Sequence, residues 1–184
     1  MIHPFLIGDQ IYLRPLEPGD ARQITPWVND PDVTCNLFIY KPMSLQQEEE
    51  FLAKLTKDGA IALGIALRSS DRLIGSAGLH DIDYKNGQCT FGILIGAKEE
   101  WGKGYGTEAT RLFVDFAFGT LNLHRFWLHV YEYNVRGIRA YEKVGLQKEG
   151  TLRQARYHDG RYWDTYVMAI LRQEWDARRS QKAG

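Results

Sequence analysis

Cysteine is scarce in this sequence and charge of either sign is not in excess. Of 184 residues only Cys35 and Cys89 are cysteines. They stand far apart at no zinc or redox spacing, which excludes a disulfide framework and reads as buried small hydrophobes in a reducing compartment, the cytoplasm. The 23 Lys and Arg cancel the 23 Asp and Glu, so the basic excess of a general nucleic-acid binder is missing. No His/Cys/Asp cluster has the ligand spacing of a metal site. The longest apolar run, around Ile61 to Leu67, is too short to span a bilayer, and MIHPFLIGDQ has no basic region leading into an apolar stretch. Repeats, low-complexity tracts and Pro/Gly/Ser linkers are also lacking. The expectation is one domain over residues 1–184 with its core at about 7–175 and a frayed C-terminal tail, with no metal, nucleic acid or membrane.

What is present changes period along the chain. Gln10 to Arg14 alternates like a strand and stops at Pro15; a helix follows to Trp27, interrupted at Pro26, and NDPDV reads as a loop. Ser44 and Gln47 form a capping box ahead of Phe51, Leu52 and Leu55 at helical spacing. Ile61–Leu67, Arg72–His80 and Thr90–Ile95 are β-rich segments separated by turn signals, an antiparallel meander. Ala109, Leu112, Phe113, Phe116 and Ala117 then fall on one helical stripe that ends at Gly119. Arg125–Tyr133 is a strand, Val135–Val144 a helix ended by Gly145, and two strands flank the turn at His158-Asp159-Gly160. The pattern is mixed α/β.

Two stretches carry chemistry. Gly102-Lys103-Gly104-Tyr105-Gly106-Thr107 lies between a strand and the start of an amphipathic helix. Alternating glycines let backbone N–H groups approach an anion, and the helix N-terminus adds partial positive charge. The spacing fits neither a P-loop nor a dinucleotide fingerprint. A tight turn without ligand is the alternative, but this loop opens a helix instead of closing one. In the second stretch, Asn134 as a helix cap would place Ile138 and Tyr141 on its own face, aligning an amide with a phenol. A plain cap and a core aromatic are the bland alternative there.

Together these stretches resemble the cofactor motifs of the GNAT superfamily of acyl-CoA-dependent N-acetyltransferases. WGKGYGTEA, with LRPLEPGDA, NLHRFWLHVYEYN and DGRYWDTYVMAILRQEW, is similar to the branch containing bacterial ribosomal-protein N-terminal acetyltransferases and spermidine acetyltransferases. The resemblance implies a central, mostly antiparallel sheet of about seven strands, splayed between strands 4 and 5 and flanked by about four helices. It implies acetyl-CoA as co-substrate, with its pyrophosphate on Trp101 to Thr107, where Trp101 replaces the usual Arg or Gln. Backbone groups of Ile93, Leu94 and Ile95 would pair with the pantetheine amides and polarise the thioester carbonyl. Asn134 would bond the pantetheine arm, Tyr141 would sit beside the sulfur, and Lys143 near the adenosine end.

The reaction sets the remaining roles. An attacking ammonium must lose a proton, and a tyrosine of pKa about 10 can protonate a thiolate whose acid has pKa about 8.5. Tyr141 is the expected general acid. Thr90 stands where related enzymes carry a glutamate base, so His80 leads as the base, with Asp81, Asp83, His129 and a water relay also open. Phe38, Tyr40 and Tyr157, with Tyr162 and Trp163, are candidates for an acceptor pocket taking a peptide N-terminus, amino sugar, polyamine or other small amine; packing or a homodimer or larger homo-oligomer contact would explain them equally. Relatives specific for spermidine carry acidic residues where this chain has Ile39-Tyr40-Lys41, and Arg153, Arg156 and Arg161 would suit an acidic acceptor, with an exposed charged hairpin as the ordinary alternative. A non-catalytic acyl-CoA-binding module of the same fold is the alternative function.

Overall fold

The computed structural model describes residues 3–57 and 59–182. One eight-stranded sheet organises it, in the order β1-β2-β3-β4-β5-β6-β8-β7. The strands are β1 (Leu6–Ile7), β2 (Ile11–Pro15), β3 (Ile61–Leu67), β4 (Leu73–Asp83), β5 (Gln88–Ile95), β6 (Arg125–Tyr131), β7 (Gln147–His158) and β8 (Arg161–Leu171). Neighbours are antiparallel except β5 and β6, which are parallel. The helices are α1 (Ala21–Val28), α2 (Pro31–Thr34), α3 (Leu45–Lys57), α4 (Tyr105–Gly119), α5 (Val135–Val144) and α6 (Arg172–Lys182). None of the described helices is long and apolar enough to cross a membrane.

The meander, the α4 stripe and the closing hairpin lie where the sequence places them. The count differs from about seven strands and about four helices because three short or terminal pieces had no periodicity to read. Leu6–Ile7 adds a two-residue edge strand. The NDPDV loop contains one helical turn, α2, capped by Asp30, whose carboxylate accepts from the Asp32 N–H at 2.9 Å. The tail expected to fray is helical through Lys182, anchored where the Trp175 indole donates to Asp115 at 2.6 Å; positions 183 and 184 lie outside the described residues. Nor does Pro26 interrupt α1. The helix runs through to Val28, since proline near a helix end forfeits only one backbone bond while Ile24 and Val28 bury the apolar face.

A single aromatic layer explains why the sheet opens. Phe91 of β5 packs on Phe126 of β6 at 5.0 Å and on Phe113 of α4 at 5.4 Å, pinning the starts of the parallel strands together over α4. Pairing is confined to Gln88↔Arg125, Cys89↔Phe126 and Thr90↔Trp127. Beyond Thr90 the two strands diverge, since β5 stays bonded to β4 through Ile95 while β6 stays bonded to β8 through Tyr131. The backbone groups that separate line the slot between them.

Candidate active site

That slot is a cavity of about 580 Å³. One wall is β5 from Thr90 to Ile95, the other is His129 to Tyr131 of β6 with the inner face of α5, and the glycine loop closes one end. Gly102 (φ +80°) and Gly104 (φ +93°) are left-handed, the conformation that side chains resist, and Gly104 is the residue from which α4 starts. The first N–H groups of α4 have no partners within the helix and are therefore offered to whatever binds at its end.

Trp101 binds the loop to both walls. Its indole N–H donates to the Ile95 carbonyl at 2.7 Å, and the Arg136 guanidinium lies 4.0 Å over its ring. Arg136 and Arg139, both in the wall, are functional candidates that sequence reasoning missed. The usable signal was the position of Arg136, two residues past the Asn134 cap in the first turn of α5. Lys103 is turned away from the wall by an ion pair of 2.8 Å with Glu100, which raises its pKa. Glu100 is buried, and it pairs with Arg72 as well.

Asn134 caps α5: its side-chain oxygen accepts from the Gly137 N–H at 2.9 Å. The amide lies so close over Gly137 that a Cβ there would come within 2.7 Å of Nδ2. Tyr141 faces the cavity from the same helix, buried, and burial pushes its pKa up to about 12. The phenol is therefore a proton donor at any physiological pH. Ile93, Leu94, Ile95, Tyr105, Gly106, Thr107 and Lys143 join them in the wall.

The candidate bases separate. His80, Thr90 and Trp127 stand side by side across three strands, and His129 lies two residues further along β6 on the same face, its ring 5.1 Å from Trp127. His129 is in the cavity wall; His80 is outside it, with its ring against Gly92. Burial lowers the pKa of both, with Asp81 partly opposing the shift at His80. The Thr90 hydroxyl, which also lines the slot, is buried without a hydrogen-bond partner among the described residues. Of the acceptor candidates, Phe38 lines the cavity and packs edge-on against Tyr131 at 5.7 Å. Tyr40 is exposed beside Lys41, and Tyr157 pairs with Tyr162 on the hairpin; neither is in the wall.

Comparison with known proteins identifies the family and the fold. The family described as "Acetyltransferase (GNAT) domain" matches residues 10–147. The chain is 36% identical over 174 residues to the probable N-acetyltransferase YjcK of Bacillus subtilis, covering 90% of this chain and 96% of the relative. It is 32% identical over 169 residues to a spermidine N(1)-acetyltransferase of Vibrio cholerae, covering 92% and 97%. A crystal structure of the spermidine N-acetyltransferase from Vibrio cholerae, in complex with CoA and spermine, superposes with a TM-score of 0.83 over 91% of this chain and 99% of that one, at 32% identity. Family match, relatives and fold coincide: the chain belongs to the GNAT acetyltransferase family and is an N-acetyltransferase.

Proposed function

We propose that this enzyme seats acetyl-CoA in the slot between β5 and β6 and passes its acetyl group directly to a primary amine within a ternary complex, the 184 residues acting as one catalytic unit. The observation that carries the reading is the continuity of the slot, from the left-handed glycines and free N–H groups at the start of α4 to the Tyr141 phenol. Such a cavity suits a long ligand with an anionic end and a reactive end.

In this reading Trp101 to Thr107 hold the pyrophosphate. Arg136, over the Trp101 ring, supplies the polar phosphate contact that an Arg or Gln at position 101 would otherwise bring, and Lys143 serves the adenosine end. The Asn134 amide keeps its N–H groups for the pantetheine arm, because its oxygen is committed to Gly137. The backbone of Ile93 to Ile95, released from β6, bonds the arm and polarises the thioester carbonyl.

The attacking ammonium gives its proton to His129, which burial holds neutral and which stands in the wall. His80, behind Gly92 on the same face, is reached through water. The amine nitrogen then bonds the acetyl carbon as the carbon–sulfur bond breaks, and Tyr141 donates to the departing thiolate while the second proton shed by the nitrogen restores the phenol. Full transfer from a phenol of pKa about 12 is favourable only once the thiolate is itself desolvated, so Tyr141 acts first as a hydrogen-bond donor. Phe38 and Tyr131 shape the acceptor end. The names of the relatives and the phenol in the wall give a non-catalytic module no support.

Calorimetric titration with acetyl-CoA and desulfo-CoA, followed by a thiol-release assay with an amine panel, tests this reading. Binding of both ligands and release only with an amine is expected. A folded sample that binds neither would overturn it.

A further inference from the structure

The carboxylates in and around the slot are already engaged. Glu100, the one acidic side chain in the cavity wall among the described residues, is held by Arg72 and Lys103. Asp30 and Asp32, next to the wall residue Val33, share Lys98 at 2.7 and 2.9 Å. Glu132 and Asp164, beyond Tyr131, accept backbone N–H groups from Asp164 and Gln154 at 3.3 and 2.8 Å. A polycationic acceptor needs free carboxylates to replace the water it loses; Glu132 and Asp164, outside the wall, carry no cation, but no cation-free carboxylate lines the cavity among the described residues.

A cation without a carboxylate partner stands one residue behind the cavity wall instead. Between Leu152↔Thr165 and Arg156↔Trp163, β7 places Arg153, Gln154 and Ala155 opposite Asp164 alone. This bulge, with Gln154 at φ +52°, re-aims the strand. Arg156 emerges from it with its guanidinium 4.6 Å over the ring of Tyr131, a cavity-wall residue. Tyr131 and Tyr133 stack at 5.5 Å, and Trp163 meets Tyr133 edge-on at 5.1 Å, so the cation sits on an aromatic ladder. No carboxylate pairs with Arg156 among the described residues; its guanidinium hydrogen-bonds the Tyr133 hydroxyl, and its Nε is buried with no hydrogen-bond partner. Its field reaches the segment that leads into the wall residues Asn36, Leu37 and Phe38: Arg136 and Arg156 partly oppose the burial and the Asp32 charge that raise the Cys35 thiol. Tyr133 donates to the Cys35 carbonyl at 2.6 Å, which ties that loop to the ladder.

We infer that Arg156 selects an acceptor whose amine is accompanied by a carboxylate, and that polyamines are poor substrates of this enzyme. The inference rests on the acetyl-transfer reading above and names its substrate class. The reaction is unchanged: the N–C bond forms, the C–S bond breaks, the ammonium proton leaves through His129, and the carboxylate stays intact as the handle on Arg156. A planar guanidinium recognises that group through paired N–H donors, and a charge-assisted contact of this kind is worth on the order of tenfold to a hundredfold in affinity.

The test is kcat/KM, by thiol release, for matched triplets of ω-amino acid, ω-amino amide and diamine, each spanning two to six methylenes, with spermidine alongside. The expected order is acid over amide over diamine. Arg156→Ala should cost the acids on the order of tenfold or more while leaving the amides and the acetyl-CoA dissociation constant unchanged. Arg156→Glu should invert acid and diamine, a result that loss of folding cannot mimic. A wild-type preference for diamine or spermidine would overturn the inference, as would an order indifferent to both substitutions. If no amine in the series is acetylated although acetyl-CoA binds, the substrate class falls and the cofactor reading stands. If acetyl-CoA does not bind, both fall.

Discussion

The two ends of the slot are built from different materials. At the proposed cofactor end the work falls to backbone: the left-handed glycines at 102 and 104, the opened edge of β5 and the capped start of α5. At the proposed acceptor end it falls to side chains: Phe38 after α2 and His129 and Tyr131 on β6 line the slot, with Arg156, beyond a bulge, against Tyr131. A backbone site tolerates few residues at a few positions and binds one ligand. A side-chain site on loops and bulges can be re-specified by single substitutions while the sheet is left alone. Substitutions at the two ends should therefore separate cleanly, the first set moving cofactor affinity and the second moving acceptor choice.

The largest effect belongs where the ends meet. Tyr141→Phe removes one oxygen from a buried ring, so the fold and the acetyl-CoA dissociation constant should hold while kcat falls on the order of a hundredfold or more. Pre-steady-state thiol release measures the chemical step directly, and an unchanged rate there would take the acid role from Tyr141.

Gly104→Val sharpens the cofactor side. Nothing surrounds position 104 to clash with, so the cost comes from φ +93° alone, about 1–3 kcal/mol for a residue with a side chain. Acetyl-CoA should bind roughly tenfold to a hundredfold more weakly as the loop relaxes. Gly106→Ala is the internal control, since a Cβ there meets Ile95 at an ordinary 3.8 Å and φ is not positive. Equal losses at 104 and 106 would mean that crowding, and not backbone geometry, governs the loop.

On the acceptor side the pH profile is the instrument. Burial lowers the His129 pKa, so the ring is neutral through neutral pH and becomes charged only as pH falls through a value below its ordinary figure of about 6.5. Acceptor kcat/KM should be level above that point and decline below it, and His129→Gln should lower the plateau several-fold and erase the decline. The sign for stability is the same: a depressed folded pKa stabilises the protein above the unfolded value, and that contribution is lost in acid. A decline retained in His129→Gln and lost in His80→Gln would move the base one strand over.

The same contrast decides what could be read from sequence. The meander, the α4 stripe and the two stretches that line the slot were legible because periodicity and glycine spacing are imposed by backbone geometry. Leu6–Ile7, α2 and the last turns of α6 were not, since a two-residue strand and a single turn have no period and α6 is fixed by a distant contact between Trp175 and Asp115. His80 could be named from its chemistry but not placed. Whether a strand residue faces a cavity depends on where β5 and β6 part, and that is set by Phe91, Phe113 and Phe126 packing across three elements. Arg136 was passed over for a related reason, as a charged residue in the first turn of a helix looks solvated until Trp101 is seen beneath it.

The smallest expected effect separates two roles in one side chain. Asn134 is an N-cap through its oxygen and, in the proposed site, a ligand donor through its nitrogen. Asn134→Ala removes both, costing about 1 kcal/mol of stability, or roughly 2–4 °C in Tm for a chain of this size, together with a several-fold weaker grip on acetyl-CoA. Asn134→Ser keeps a capping oxygen for the Gly137 N–H but has no amide to offer the pantetheine arm. Tm should therefore return to the wild-type value while the dissociation constant stays raised. If serine restores both, the amide is only a cap, and the backbone of α4 and β5 carries the cofactor without it.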